Sequence, residues 1–186
     1  MHLPFPRILF LDACVLYPTQ TRDLFMGLAL EGQVQLKWSQ QVQEEWIRNF
    51  LKNNSSRLGL DGEERLKAIP QTMLTALEFQ EPLVQGYQYL LERIKLPDEN
   101  DRHVVAAAFW GGAEAILTFN AKDFPEEALD PGDLRVVDPD DYLCEFAEED
   151  IRKNLFAPHL ASSSQKTALQ AEKPTPGRGS LPHLPP

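Results

Sequence analysis

RILFLD, residues 7–12, is the stretch on which the fold turns: four consecutive apolar side chains, Ile8, Leu9, Phe10 and Leu11, run straight into an aspartate. A strand that is apolar at every position, rather than at alternate ones, is the kind buried on both faces of a parallel sheet. Working outward, TRDLFMGLALEG (21–32) sets Leu24, Phe25, Leu28 and Ala29 at helical spacing and closes on Gly32, suited to a helix C-cap. VQLKWS (34–39) reads as a second strand. Its Ser39 is placed to cap a helix carrying Val42, Trp46, Ile47 and Phe50 on one side. NSSRLGLDG (54–62) reads as a loop. Two helical segments are expected over about 63–78 and 82–94, interrupted by Pro70 and Pro82. In the second, Leu83, Val84, Tyr87, Leu90 and Leu91 share one apolar face, read first as ordinary core. NDRHVVAAAFW (100–110) starts another helix, followed by a turn at Gly111 and Gly112 and the strand AEAILTF (113–119). A short helix at PEEAL (125–129), the strand LRVVD (134–138) and a helix from PDDYLCEF (139–146) complete the pattern. Strands alternating with helices predict an α/β fold: one domain with a central, mainly parallel β-sheet flanked by α-helices.

The length of 186 residues suits one domain with a single core, expected over 1–155. The Ser/Pro-rich tail, 156–186, lacks an apolar period and is expected to be disordered or at most partly helical. No stretch approaches the roughly 18 consecutive apolar residues of a membrane span. The first apolar run ends in Asp12 without a small-residue cleavage site, which predicts a cytoplasmic protein. Cys14 and Cys144 are too few for a disulfide framework and show no metal-ligand spacing, so both are expected to be reduced and packed. A net charge of -10 argues against a polyanionic partner until its distribution is considered. Residues 1–60 carry six Lys or Arg against five Asp or Glu, whereas residues 98–150 carry three against sixteen. The acidity is local, and Arg7, Lys37, Arg48, Lys52 and Arg57 remain available for a binding face.

In open α/β sheets ligands bind beyond the carboxyl ends of the strands, where strand order reverses. Asp12 ends the first strand; alone, it reads as a turn or helix cap. Asn120 follows AEAILTF at the same expected edge, with Thr118 two residues before it and Asp123 three after. Glu45, three residues after Val42, sits at the boundary of its helix's apolar face, whereas Glu44 turns toward solvent. LPDENDRHVVAAAF (96–109) puts Asp98, Glu99 and Asp101 at the mouth of a buried run. Asp98 or Asn100 suits the cap, and Asp101 falls in the first turn, where negative charge is favoured. Capping alone would explain these acids. The same helix start, however, is where Asp101 would meet Asp12 and Asn120. Carboxylates converging from separate segments repel one another unless a cation neutralises them. Oxygen donors without a Cys or His cluster select a hard ion, Mg²⁺ or Mn²⁺.

LDACVLYP, the helix carrying EEW, PDENDRHVVAAAF and LTFNAKDFP resemble, in order and spacing, the successive acidic motifs of the PIN domain, the nuclease fold of VapC-type bacterial toxins. The similarity runs from about residue 7 to 145, and NDRHVVAAA followed by TFNAKDFP is its specific part. The family's first acid falls on Asp12, its glutamate on Glu45, its third acid on Asp101, and its fourth position on Asn120 or Asp123. Some relatives have aspartate where this chain has Asn120. The resemblance implies an Mg²⁺- or Mn²⁺-dependent endoribonuclease whose ions are held by Asp12, Glu45, Asp101 and Asp123. Asn120 or Asp123 would orient water or hold a second ion, and Asp98 would help directly or through water. Thr118 and Arg102 are auxiliary candidates for touching phosphate, although Arg102 reads first as a surface ion-pair partner. His103 reads first as a surface or packed histidine. RNA is the implied substrate, with a homodimer and a small antitoxin as implied partners. Two other readings stay open. A haloacid-dehalogenase-type phosphatase also has an aspartate after its first strand, but wants a second acid two residues on, where this chain has Cys14. The other is a non-catalytic RNA- or protein-binding module on the same fold.

Overall fold

The structure is a computed structural model that describes residues 5–59, 61–129 and 134–156. The chain divides into two units, Met1–Cys144 and Glu145–Pro186. The first carries the sheet and every candidate site residue; the tail expected from 156 lies, beyond Phe156, outside the described residues.

Five strands form one sheet: β1 (Ile8–Leu11), β2 (Gln35–Ser39), β3 (Leu83–Val84), β4 (Ala115–Leu117) and β5 (Arg135–Val137). Their order is β3-β2-β1-β4-β5 and each pairing is parallel. The apolar runs explain this placement. Leu9, Phe10 and Leu11 of β1 and Ala115, Ile116 and Leu117 of β4 are fully buried, as the centre of a two-sided sheet demands. Strand order runs outward from β1 through β2 to β3 and then restarts on its other side with β4, so the switch point lies between β1 and β4.

The helices are α1 (Ala13–Leu16), α2 (Thr19–Leu30), α3 (Gln40–Asn54), α4 (Gly62–Ala76), α5 (Arg102–Trp110) and α6 (Pro139–Phe156). Helix α2 ends as expected of its glycine: Gly32 has φ +69°, its N–H reaches the Ala29 carbonyl at 3.0 Å, and the Gln33 N–H reaches Leu28 at 2.9 Å. Ser39 caps α3, its hydroxyl accepting the Val42 N–H at 3.2 Å. Helix α5 packs across β1, β2, β3 and β4, and its buried Ala106, Ala107 and Ala108 permit a close approach. Gly111 ends it against β3, where a Cβ would stand 2.6 Å from the Val84 side chain. Buried Gln80 ties β2 to its surroundings. Its amide donates to Ala29 and Val34 carbonyls at 3.0 and 3.2 Å, and its oxygen accepts the Leu36 N–H at 3.1 Å. Among the described residues no helix is long and apolar enough to cross a membrane.

Two expectations need correction. Helix α4 continues through Pro70, because buried Leu66 and Met73 on either side anchor it despite the lost hydrogen bond. Residues 82–94 are not a helix: Leu83 and Val84 pair with Trp38 and Ser39 as β3, and Gln88–Arg93 form a 3₁₀ turn. Between them Gly86, at φ +82°, takes a backbone conformation that a right-handed helix excludes.

Candidate active site

Asp12 leaves β1 at the switch point, and its own N–H bonds the Leu117 carbonyl of β4 at 3.1 Å. It is indeed a cap, since one carboxylate oxygen accepts the Ala13 N–H at 2.6 Å. The other oxygen accepts the Thr118 hydroxyl at 2.8 Å and the Cys14 thiol at 3.1 Å. A carboxylate has about four lone-pair directions, so this anchoring fixes its orientation and still leaves acceptor capacity for the cavity that Asp12 lines.

That cavity, of about 340 Å³, is also lined by Glu45, Asp101, Asn120 and Asp123. Four segments far apart in the chain therefore deliver the expected residues to one place. Glu45 comes from the middle of α3, partly exposed, with its Oε2 3.5 Å from Nε2 of buried His103. Asp101 stands at the N-cap position of α5 without making a capping bond. Asp98 does that work one turn earlier, accepting the Asn100 N–H at 2.9 Å, which releases Asp101 to face the cavity. Asn120 and Asp123 both line it, carried by the end of the β4 segment and the 3₁₀ turn Ala121–Asp123, so neither displaces the other.

The electrostatics agree with convergence. Burial, and then the charges of Asp12, Asp98, Glu45 and Asp123, push the Asp101 carboxyl up from its ordinary 3.8 to about 6. Such a cluster at neutral pH calls for a proton or a cation. The donors, all hard oxygens, are of the kind Mg²⁺ or Mn²⁺ takes. Among the described residues no three His, Cys, Asp or Glu side chains stand together as a ready ligand cage. Mg²⁺ commonly keeps several waters and uses only one or two carboxylates besides substrate phosphate, so an open, acid-lined cavity fits it without such a cage.

Several auxiliary assignments change. Thr118 is fully buried, donating its hydroxyl to Asp12 at 2.8 Å while accepting the Asn120 N–H at 3.0 Å, so it holds the acid from behind the cavity wall. Arg102 pairs with Glu99, as its surface reading expected. His103 is packed rather than exposed. Cys14 is half-buried in the cavity wall, where burial and then the Asp12 charge push its thiol up to about 12, leaving it an inert hydrogen-bond donor. Cys144, expected to be packed, is exposed. Arg7 and Lys37 leave the proposed basic face. The Arg7 guanidinium bonds the Gln33 carbonyl at 3.2 Å, and the Lys37 ammonium bonds the Gln80 and Glu81 carbonyls at 3.1 and 2.9 Å. Arg48, Lys52 and Arg57 remain exposed. Sequence reasoning missed Tyr17, Asn49 and Asn53 as lining residues. The signal was present: Asn49 and Asn53 continue from Glu45 in steps of four along one helix.

Comparison with known proteins accords with this geometry. A family model described as PIN domain matches residues 9–122, a span that includes Asp12, Glu45, Asp101 and Asn120. The chain is also 37% identical over 87 residues to the Mycobacterium tuberculosis protein named "Putative ribonuclease VapC50", an alignment covering 47% of each chain. The chain thus spans about half the length of the curated relative it matches.

Proposed function

Because the chain belongs to the PIN domain family, we propose that it is an endoribonuclease that hydrolyses RNA phosphodiester bonds with Mg²⁺ or Mn²⁺. The observation that supports this most is the convergence of Asp12, Glu45, Asp101 and Asp123 on one cavity at the sheet's switch point, where burial and then the neighbouring acids raise the Asp101 carboxyl. Asp12, Glu45, Asp101 and Asp123 would hold the cation, with Asp98 close enough to add charge. When bound, the cation supplies Lewis-acid polarisation of the phosphodiester and offsets charge that builds as water attacks in line.

The chain's own residues do the rest. Ala13 N–H and the Thr118 hydroxyl keep Asp12 from rotating. The Asn120 amide and the Asp123 carboxylate are the groups available to orient the attacking water, Asp123 by accepting its proton. Asp101 has to be ionised to take part, so activity rises as pH passes upward through its transition. No side-chain nucleophile is required, and the high thiol pKa keeps Cys14 out of that role.

The resemblance to VapC-type toxins extends the proposal to a cytoplasmic toxin, dimeric, whose antitoxin occludes the acidic edge through a basic or apolar segment. The concentration of acids between 98 and 150 supports such a partner. Failure to bind the product of any adjacent reading frame would remove this extension. A second reading is a non-catalytic module on the same fold that binds RNA or protein. The deciding experiment is cleavage of a mixed RNA pool with Mg²⁺ or Mn²⁺ beside folded Asp12→Ala and Asp101→Ala variants. Metal-dependent cutting lost in both variants upholds the nuclease. Mn²⁺ titration without binding selects the second reading.

A further inference from the structure

One wall of the cavity carries no acid beyond Glu45. Asn49 and Asn53 follow Glu45 at steps of four on α3, so the three side chains form one line, and all three line the cavity together with Tyr17. The Asn53 and Asn54 amides donate to the Tyr17 hydroxyl at 3.4 and 3.0 Å, and Phe50 braces the Tyr17 ring at a centroid distance of 5.5 Å. The Asn49 side-chain amide, exposed on α3, makes no hydrogen bond among the described residues. No lysine or arginine lines the cavity, so this wall is no phosphate clamp.

A carboxamide presents a donor and an acceptor side by side, a pattern that matches the edge of a nucleobase. An aromatic ring next to it offers a stacking face that any base can use. We propose that Tyr17, Asn49 and Asn53 form a nucleobase subsite that takes one unpaired base beside the bond to be cut. Tyr17 stacks on the base, and the two amides bond its edge. The inference rests on the endoribonuclease reading and adds to it the residues that read one base, which has to be unpaired because a base within a duplex has both its faces and its pairing edge occupied. Exposed Arg48 and Lys52 lie one step round α3 from this line, where a backbone leaving the cavity would meet positive charge.

The test uses the full chain and a fluorescein-labelled, mixed-sequence single-stranded RNA dodecamer, with Ca²⁺ replacing Mg²⁺ so that binding is read apart from cleavage. Asn49→Ala and Tyr17→Ala are each expected to weaken binding about tenfold, the scale of one stacking or bidentate base contact. Tyr17→Phe keeps the ring and is expected to stay within about threefold of wild type. With Mg²⁺, sequencing of cut ends should show a base preference at one position beside the cut that flattens in Asn49→Ala. Circular dichroism melts establish that each variant is folded. Equal binding by wild type, Asn49→Ala and Tyr17→Ala overturns the subsite, whatever is found for cleavage. Binding that follows the variants while no divalent ion supports cutting overturns the nuclease reading and upholds the subsite. Wild type that binds no RNA overturns both, and equally tight binding of the duplexed dodecamer overturns the single-strand assignment.

Discussion

Replacing Asp101 with asparagine should stabilise the metal-free protein at neutral pH. The carboxyl titrates at about 6 in the fold against an ordinary 3.8. A carboxyl raised in the folded state favours folding when protonated; that contribution is fully present below pH 3.8 and is lost as pH rises through 6. At pH 7.5 the ionised group therefore opposes folding, and asparagine removes the opposition at nearly constant shape. At about 1.4 kcal/mol per pH unit the displacement sets a ceiling near 3 kcal/mol. Asp101 is partly exposed, so solvent screening brings the expectation to about 1–1.5 kcal/mol. For a domain of this size that is a rise in Tm of roughly 3–6 °C. Thermal melts of wild type and Asp101→Asn in EDTA at pH 7.5 and pH 4 measure it, and the gain should disappear at the lower pH. Adding Mg²⁺ at pH 7.5 should raise the wild-type Tm more than the variant's. A variant that melts lower at pH 7.5, or that gains equally at both pH values, would refute the account of Asp101 as one of several facing carboxylates.

Other perturbations read different links in the argument. Thr118→Val should remove the hydroxyl that holds Asp12 and cost about 1–2 kcal/mol in urea unfolding; calorimetric titration should show weakened Mn²⁺ binding, and an unchanged isotherm would deny Thr118 its positioning role. Gly111→Ala places a methyl 2.6 Å from Val84 and 3.0 Å from the Ala107 carbonyl, and should lower stability by about 1–3 kcal/mol in the same assay. Gln80→Ala leaves the Leu36 N–H and the Ala29 and Val34 carbonyls without their partner, with an expected loss of about 2–3 kcal/mol. Cleavage rate against pH at saturating Mg²⁺ should rise with a midpoint at or below about 6, since a bound cation favours the ionised Asp101; a rate that falls over pH 5–7 would contradict this.

The central sheet was legible because its signal is local: uninterrupted apolar runs, a serine at the start of α3 and a glycine just past α2. Asp12, Asp101, Asn120 and Asp123 were legible because each sits at a strand end or helix start whose location those runs define, and Glu45 because it borders the apolar face of α3. The segment 82–94 was misread for a physical reason. Leu83, Val84, Tyr87, Leu90 and Leu91 satisfy helical spacing, but the hydrogen bonds of Leu83 and Val84 are decided by β2, more than forty residues away. Thr118 and Cys14 could not be assigned for the same reason. Their roles exist only once β1 and β4 lie side by side, and nothing in either segment alone announces the other. Tyr17 lay within a quoted motif without a role, since it meets the cavity only when α1 packs on α3.

The pairing of β1 with β4, Leu9 beside Ala115, also bears on when during synthesis the acid-lined cavity can form. A ribosome that has made the chain as far as Trp110 has already produced Asp12, Glu45 and Asp101, yet neither β4 nor the threonine after it, which together hold Asp12 in place. Contacts of such long sequence separation form late and slowly, and domains complete folding as units once their last strands emerge. The cavity is thus closed by nearly the last part of the domain to be translated, and a chain abandoned midway carries the acids without the arrangement that makes them a site.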